Sequence, residues 1–376
     1  MAARWNRVAV AALAAVAAAA VLVVVSGDPP PEQVPDPPSS PVLLPGDTAW
    51  TRIGGLSATP GSPGVRDGLA LLSFDGLWLV DLRTGAERWH VQAGAQLAGG
   101  TEVYSSGGTL VGAGVLVRTR GGIALLSRED GGMRWHAPVR SAPGERYVLV
   151  AADDRTAVVS VGPTRGGTPR VVAVDVATGR PRWTRAGLTP YAIADGVVAG
   201  VTAAGTVAAW DLASGATAWT LAGFTSARVA LTAGDDVLVE GRTGSSAPVR
   251  RVVSARTGEL LAELAGDPRT GQCATDGRTL IACPLSRGRD YAFEIFDVGE
   301  RRIRAVSGDY EPRSVCLAGP DHLFGASQDG YFAVDRTGQL LAPALPGRPV
   351  AVSGNHLVIR TDTGDPPLIS VYRMRK

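Results

Sequence analysis

The sequence predicts an all-β fold: an eight-bladed β-propeller whose N- and C-terminal strands close one blade, preceded by one transmembrane helix. Three observations predict it. From residue 47 onward, short Val/Leu/Ala/Ile runs of four to seven residues alternate with Gly, Asp and Thr-Gly turns, and no long 3.6-residue period interrupts them, which is a strand pattern. A unit of Asp, then Gly four residues on, then Trp eight residues on, recurs along the chain. Eight such units fill residues 47–376 at about 41 residues each, the size of a four-stranded propeller blade.

The first element is the apolar run Val8–Val25, 18 uncharged residues of Ala and Val with two Leu. A helix there spans roughly 27 Å, close to the thickness of a bilayer core. Arg4 and Arg7 precede it, and Asp28, Glu32 and Asp36 follow. This charge bias predicts residues 1–7 in the cytoplasm and everything after the segment outside. The expectation is an uncleaved signal anchor over 8–25, with cleavage and secretion as the alternative, because the run exceeds a usual signal-peptide core. Residues 26–46 hold eight prolines and read as a semi-rigid linker.

The repeat begins next. Asp75-Gly76 opens a segment that runs through Asp81, Thr84 and Gly85 to Trp89. Asp175, Gly179 and Trp183 repeat its spacing, as do Asp211, Gly215 and Trp219, while Ser127, Gly131 and Trp135 keep it with Ser for Asp. Ser254, Gly258 and Ala262 keep it with both ends changed, and Asp297-Val-Gly299 and Asp335-Arg-Thr-Gly338 read as shortened copies. The Asp carboxylate is suited to accept backbone N–H bonds in a tight turn, the Gly to supply positive φ, and the Trp to fill the gap between packed sheets. Five of the eight tryptophans (50, 89, 135, 183 and 219) fall at this one position, which argues for packing rather than catalysis.

Outer strands are expected near residues 50, 89, 135, 183, 219, 262, 303 and 341. Preceding hairpin turns are expected at Asp67-Gly68, Ala113-Gly114, Asp153-Asp154, Asp195-Gly196, Asp235-Asp236, Asp276-Gly277, Pro320-Asp321 and Gly354-Asn355. Both counts give eight. The strand at Trp50 lacks inner strands before it, and the C-terminal strands lack an outer one, so the two ends complete one blade and remove an open sheet edge. With Trp lost near 262, 303 and 341, the fifth to seventh blades are expected to be the least regular.

The pattern resembles the pyrroloquinoline-quinone-type (PQQ-like) repeat family of β-propellers, best at 75–89, 171–183, 207–219 and 329–338. The resemblance implies the propeller fold over about 330 residues. It leaves function open, since the family holds quinone-dependent dehydrogenases, non-catalytic envelope propellers and the lipoprotein of the outer-membrane assembly machine. The dehydrogenases hold their quinone against a Trp and a disulfide of adjacent cysteines beside a Ca²⁺ ion, and no Cys-Cys pair occurs here.

Composition excludes several classes. With 37 basic and 35 acidic residues, the chain is no nucleic-acid binder by charge, and three cysteines with four histidines exclude a disulfide-dense scaffold. Candidate sites have structural readings. Asp153-Asp154 and Asp235-Asp236 lie in hairpin turns; a metal role is poorly served, since Asn355 is the one amide of its kind after residue 6. His90 and His136 follow the repeat Trp, and His322 and His356 begin second strands of two blades. Cys273 and Cys283 flank a hairpin and are within disulfide reach if the register allows, leaving Cys316 free and buried; three reduced cysteines are the alternative. Arg301, Arg302 and Arg304, with Arg287 and Arg289, and Arg118 with Arg120, read as solvated strand faces or a patch for anionic polymers.

No catalytic residue, cofactor or metal is assigned. The expectation is a monomeric, non-catalytic extracytoplasmic scaffold, bound to the membrane through residues 8–25 and partnered by another envelope protein, with no nucleic-acid role. The alternative is a quinone or small-molecule binder, sensor or oxidoreductase, using the central channel.

Overall fold

The Asp-to-Trp unit places each blade's last hairpin, and the rest of each blade follows from it. The computed structural model describes residues 48–57, 64–98, 100–104, 108–164, 167–244, 248–269, 271–287, 290–307, 314–361 and 367–374. All fall within one unit, Val42–Lys376. The expected membrane segment 8–25 and the linker 26–46 lie outside the described residues, as does Arg289.

Among the described residues eight antiparallel sheets of four or five strands form the blades, and a ninth has two strands. Blade 2 is Thr109–Val111, Gly114–Thr119, Gly122–Leu126 and Met133–Pro138; blade 3 is Glu145–Ala152, Thr156–Pro163, Arg170–Asp175 and Pro181–Ala186. Blade 4 runs Leu188–Ala194, Val197–Thr202, Val207–Asp211 and Thr217–Leu221, and blade 5 runs Ser226–Ala233, Asp236–Arg242, Pro248–Ser254 and Leu260–Leu264. Blade 6 holds Ala274–Thr275, Leu280–Arg287, Asp290–Asp297 and Arg302–Ser307, and blade 7 holds Ser314–Ala318, His322–Ala326, Tyr331–Asp335 and Leu340–Leu345. Blade 8 joins the ends of the chain: Thr48–Ile53 pairs with Leu368–Arg373, which continues to His356–Thr361 and Arg348–Ser353. This closure and all eight outer strands match the sequence reading.

Irregularity is distributed differently from the expectation. Blade 5 is a complete four-stranded sheet with bulges like those of blade 4. Blade 6 has a two-residue inner strand. The larger interruption is in blade 1: Gly55–Leu56 and Val65–Arg66 pair with opposite ends of the same strand, Leu69–Ser73, as one split inner strand. That strand continues to Gly76–Asp81 and Glu87–Gln92. An extra hairpin, Gln96–Leu97 with Thr101–Glu102, follows before blade 2. A lost Trp leaves the backbone ladder intact, because the ladder is held by main-chain bonds; inserted residues interrupt it directly.

The core lies between the sheets. Alternate residues of the middle strands, such as Leu77 and Leu79 against Val115 and Val117, or Val207 and Ala209 against Val237 and Val239, are buried in shared clusters. Each blade has two tight turns on one face of the ring, after its first strand and after its third. The opposite face carries the connections from second to third strand and from blade to blade, which vary in length from the single residue Gly187 upward. We call these the turn face and the loop face.

Candidate functional site

On the turn face the repeat residues are absorbed into structure. Asp81 Oδ1 accepts the Thr84 amide and hydroxyl, both at 2.9 Å. Asp175 with Thr178 and Asp211 with Ser214 repeat this turn. The Ser214 hydroxyl and amide hold the Asp211 carboxyl below its ordinary range, since each bond favours the charged form.

Each repeat Trp then crosses to the next blade. The indole N–H of Trp50 donates to Leu82 O at 2.8 Å, Trp89 to Arg128 O at 3.2 Å, and Trp135 to Val176 O at 2.9 Å. Trp183 donates to Leu212 O at 2.9 Å and Trp219 to Ala255 O at 2.6 Å. The ring lies flat on the motif Gly of that same neighbouring turn. At Gly179, φ is +72° and an added Cβ would stand 2.8 Å from the Trp135 ring. Gly is therefore required twice over: for its positive φ and for the indole resting on it. These residues staple blades together and are not available for chemistry.

The remaining candidates fall in separate places. Asp153 Oδ1 accepts the amides of Arg155 and Thr156, as a turn-forming Asp does. Asp154 does more: it takes Arg66 of blade 1 through two bonds of 2.6 and 2.7 Å and the Gly112 amide of blade 2 at 2.6 Å, tying three blades. The Arg66 guanidinium holds its carboxyl below the ordinary range. Asp236 has the opposite environment. It is 1% exposed, and neither carboxylate oxygen has a hydrogen-bond partner among the described residues. Burial pushes its carboxyl up to about 6, against the pull of Arg301 and with the push of Asp235.

The histidines are dispersed. His90 stacks on Trp78 with ring centroids 4.4 Å apart and bonds Glu87 through Nδ1 at 2.9 Å. His136 Nε2 lies 3.1 Å from Thr119 Oγ1. His322 and His356 do open the second strands of blades 7 and 8, the place Asp236 holds in blade 5. Burial lowers all three of the His136, His322 and His356 pKa values, because the charged ring is disfavoured away from water.

Cys273 and Cys283 form a disulfide. The register explains it: Ala274 pairs with Ala282, so the cysteines face each other one step further along the hairpin. Cys316 is free, and half-buried rather than buried. It occupies a bulge in blade 7's inner strand between Val315 and Leu317, and burial raises its thiol pKa. The arginines do not converge. Arg302 pairs with Glu300 at 2.8 Å in blade 6, whereas in blade 2 Arg118 covers the Tyr104 ring at 4.7 Å and Arg120 meets Glu102 at 3.4 Å.

Blade 6 departs from the repeat at its turn. The residue four after Asp297 is Arg301, with φ +51°, and Gly299 is not in the left-handed region. The turn is full-length, with Arg in the place of the motif Gly, but the strand after it lacks the bulge of the other blades and Ile295 pairs with Arg304, so the copy is one residue short, as the sequence reading has it. Ala262 of blade 5 replaces the Trp that would rest on it, pairing with Val252 as Trp219 pairs with Ala209. The missing indole leaves room for a side chain.

Two clefts open on the surface. One, of ≈ 460 Å³, lies on the turn face between Asp153 and Arg155 of blade 3 and Asp211 and Ala213 of blade 4. The other, of ≈ 370 Å³, lies on the loop face of blade 5 and is lined by Arg228, Glu240, Arg242, Pro248, Pro268 and Arg269. Sequence reasoning missed the second. Its signal is Glu240 and Arg250, charged residues on middle strands that also carry Val237, Leu238, Val239, Val252 and Val253. Among the described residues no group of three or more His, Cys, Asp or Glu side chains could hold a metal ion.

The quinone cradle of the dehydrogenases can be tested on these residues. The disulfide joins cysteines ten residues apart, not adjacent ones. The five repeat tryptophans face neighbouring turns, Trp78 stacks on His90, and Trp210 packs edge-on against Trp183 at 6.2 Å. The described residues do not fit that group.

The family model described as outer membrane protein assembly factor BamB matches residues 46–221. No curated protein matches the chain. Among solved structures, the computationally designed Ika8 protein is 16% identical, with 88% of this chain and 100% of that one covered and a TM-score of 0.55. The quinohemoprotein alcohol dehydrogenase from Comamonas testosteroni is 13% identical, with 88% and 77% covered and a TM-score of 0.54. BamB from Moraxella catarrhalis is 19% identical, with 86% and 85% covered and a TM-score of 0.39. At such identities a likeness concerns the fold and not the activity. The chain is thus an eight-bladed β-propeller, and over residues 46–221, which hold all five stapling tryptophans, its repeat is similar to that of the family described as outer membrane protein assembly factor BamB.

Proposed function

We propose that the chain is a non-catalytic binding or scaffold module of the cell envelope, held to the membrane by residues 8–25 through the linker 26–46, with the propeller on the extracytoplasmic side. The observation that supports this reading best is where the repeat residues go. Asp, Thr or Ser, Gly and Trp are used in turns and blade-to-blade staples, so the repeat builds a rigid ring whose differences between blades lie in its loops. Such a ring presents binding loops on a fixed scaffold. The family match over residues 46–221, to a model described as an assembly factor, points the same way. The partner class is another envelope protein.

Two measurements on the full chain test this. A melting shift with pyrroloquinoline quinone plus Ca²⁺ would revive the oxidoreductase reading, since a ligand that binds only the native state raises its stability; no shift is expected. Membranes carrying a tagged chain are expected to yield a specific co-purifying envelope protein. Recovery of nothing above an untagged control would overturn the scaffold reading.

A further inference from the structure

The loop-face cleft of blade 5 rests on a buried charge network. Arg250 is fully buried and donates from Nε to Glu240 Oε1 at 3.0 Å. It also bonds the carbonyls of Pro284 and Gly271, crossing into blade 6. Glu240 is 3% exposed, so one carboxylate sits between two guanidinium groups: its other oxygen takes Arg228 at 2.9 and 2.5 Å. A carboxylate so placed fixes Arg228, a long side chain that would otherwise sample many rotamers. Arg228 itself points outward, with its side chain 59% exposed.

The rest of the cleft adds positive charge. Arg242 is exposed and has no acidic partner among the described residues. Arg269 is exposed and pairs with Asp267 at 2.7 Å. The site therefore gathers four guanidinium groups, Arg228, Arg242, Arg250 and Arg269, against two carboxylates, Glu240 and Asp267. Its other walls are Ser226, Ala227, Gly241, Pro248 and Pro268; the two prolines have no amide to donate. An open cleft with a fixed guanidinium and a spare one beside it suits an extended chain bearing carboxylates, since Arg forks match carboxylate geometry.

We propose that this cleft is a docking site for an acidic peptide segment of the partner protein, with a carboxylate held between Arg228 and Arg242. The proposal rests on the scaffold reading and names the chemistry of the partner. Arg242 is the clean probe, because it belongs to no ion pair among the described residues and its replacement leaves the Glu240 network in place.

The test uses the full chain and a fluorescein-labelled hexaglutamate peptide, read by fluorescence anisotropy at low salt. Saturable binding is expected, weakened about tenfold by Arg242→Glu and weakened by added salt. Arg242→Ala serves as the milder variant, and the melting temperature of both is expected to equal that of the wild type. Hexaglutamate binding that is absent, or equal in wild type and Arg242→Glu, overturns the proposal. So does competition by inorganic phosphate as effective as by unlabelled peptide, or binding to phosphatidylglycerol vesicles in place of peptide. The two readings fail separately: peptide binding indifferent to Arg242 removes this site and leaves the scaffold reading standing, whereas a melting shift with quinone and Ca²⁺ removes the scaffold reading whatever the peptide does.

Discussion

Five of the eight seams between blades are closed by tryptophan and three are not. From blade 8 through blade 5, each outer strand lends an indole to the next blade's turn. From blade 5 through blade 8 the packing moves inward. Four of the six phenylalanines, Phe293, Phe296, Phe324 and Phe332, lie on middle strands of blades 6 and 7 and are buried; Phe293 and Phe332 stack across that seam at 6.1 Å. The seam from blade 5 to blade 6 adds polar crossings: Arg250 onto blade 6 carbonyls, and Glu294 accepting the Ala265 amide at 2.6 Å. One ring is thus held by two solutions. The staple is local and repeats; the inward packing is specific to each seam. The family model ends at residue 221, where the last stapling strand ends, so the match covers the repeating solution.

The largest test of this contrast is to remove a staple. Trp219 is 8% exposed, bonds Ala255 O and covers Gly258. Trp219→Ala is expected to cost about 3–5 kcal/mol, the range for deleting a large aromatic from a packed site. Leu260, on the outer strand of the next blade, is 51% exposed, and Leu260→Ala is expected to stay within about 0.5 kcal/mol. Urea midpoints for the two variants measure this. A Trp219→Ala loss below about 1 kcal/mol would mean that the indole is ornamental and the ladder alone holds the seam.

That staple was legible from the residue sequence because it repeats: a fixed Asp–Gly–Trp spacing marks the outer strands at Trp89, Trp183 and Trp219, and altered or shortened copies of it mark the others. What could not be counted was specific to one seam. Asp154 and Arg66 are 88 residues apart, so no local pattern links them. Asp235-Asp236 looks like any acidic hairpin turn, yet Asp236 faces into the seam and not the solvent. In blade 6 a glycine, Gly299, stands two residues after Asp297, yet the left-handed position falls to Arg301, which no glycine pattern marks. The loop-face cleft escaped because Glu240 and Arg250 meet across two strands, and their burial depends on register.

The second test sharpens the contrast at Asp236, which lies at the first seam without a staple. The charged groups around it are Asp235 on its own turn and Arg301 on the blade 6 turn. Arg256 is engaged with Asp195 at 2.9 Å, and Arg278 presents its carbonyl to Gly234. Because the folded carboxyl sits near 6 and an unfolded one near 3.9, the native state holds the proton more tightly between these values. Stability is therefore expected to fall as pH rises from about 4.5 to 7, by on the order of 1–3 kcal/mol. Asp236→Asn keeps the shape without the charge; it is expected to be more stable than wild type at pH 7.5 and to lose most of this slope. Melting temperatures from pH 4.5 to 8 check it, and an unchanged slope in Asp236→Asn would show that Asp236 is solvated or paired.

The smallest effect asks whether a staple can be written into a seam that lacks one. Arg301 takes the position of the motif Gly at φ +51°, a strain of about 1–2 kcal/mol for a residue with a Cβ. Arg301→Gly relieves it but frees the unfolded chain by about 0.4–1 kcal/mol and removes the positive charge facing Asp236. Alone, it is expected to change little. Ala262→Trp alone is expected to destabilise, because its indole would meet the Cβ of Arg301 much as the Trp135 ring would meet an added Cβ at Gly179, 2.8 Å away. Together the two changes recreate the arrangement of the other seams, with the Val298 carbonyl as the acceptor by analogy with Leu212. The double variant is expected to exceed the sum of the single ones by about 1–3 kcal/mol, the coupling of residues in direct contact, and to gain about 1 kcal/mol over wild type. Zero coupling would show that Trp and Gly are independent features of the repeat, and that the three seams differ from the five for reasons other than the loss of this one contact.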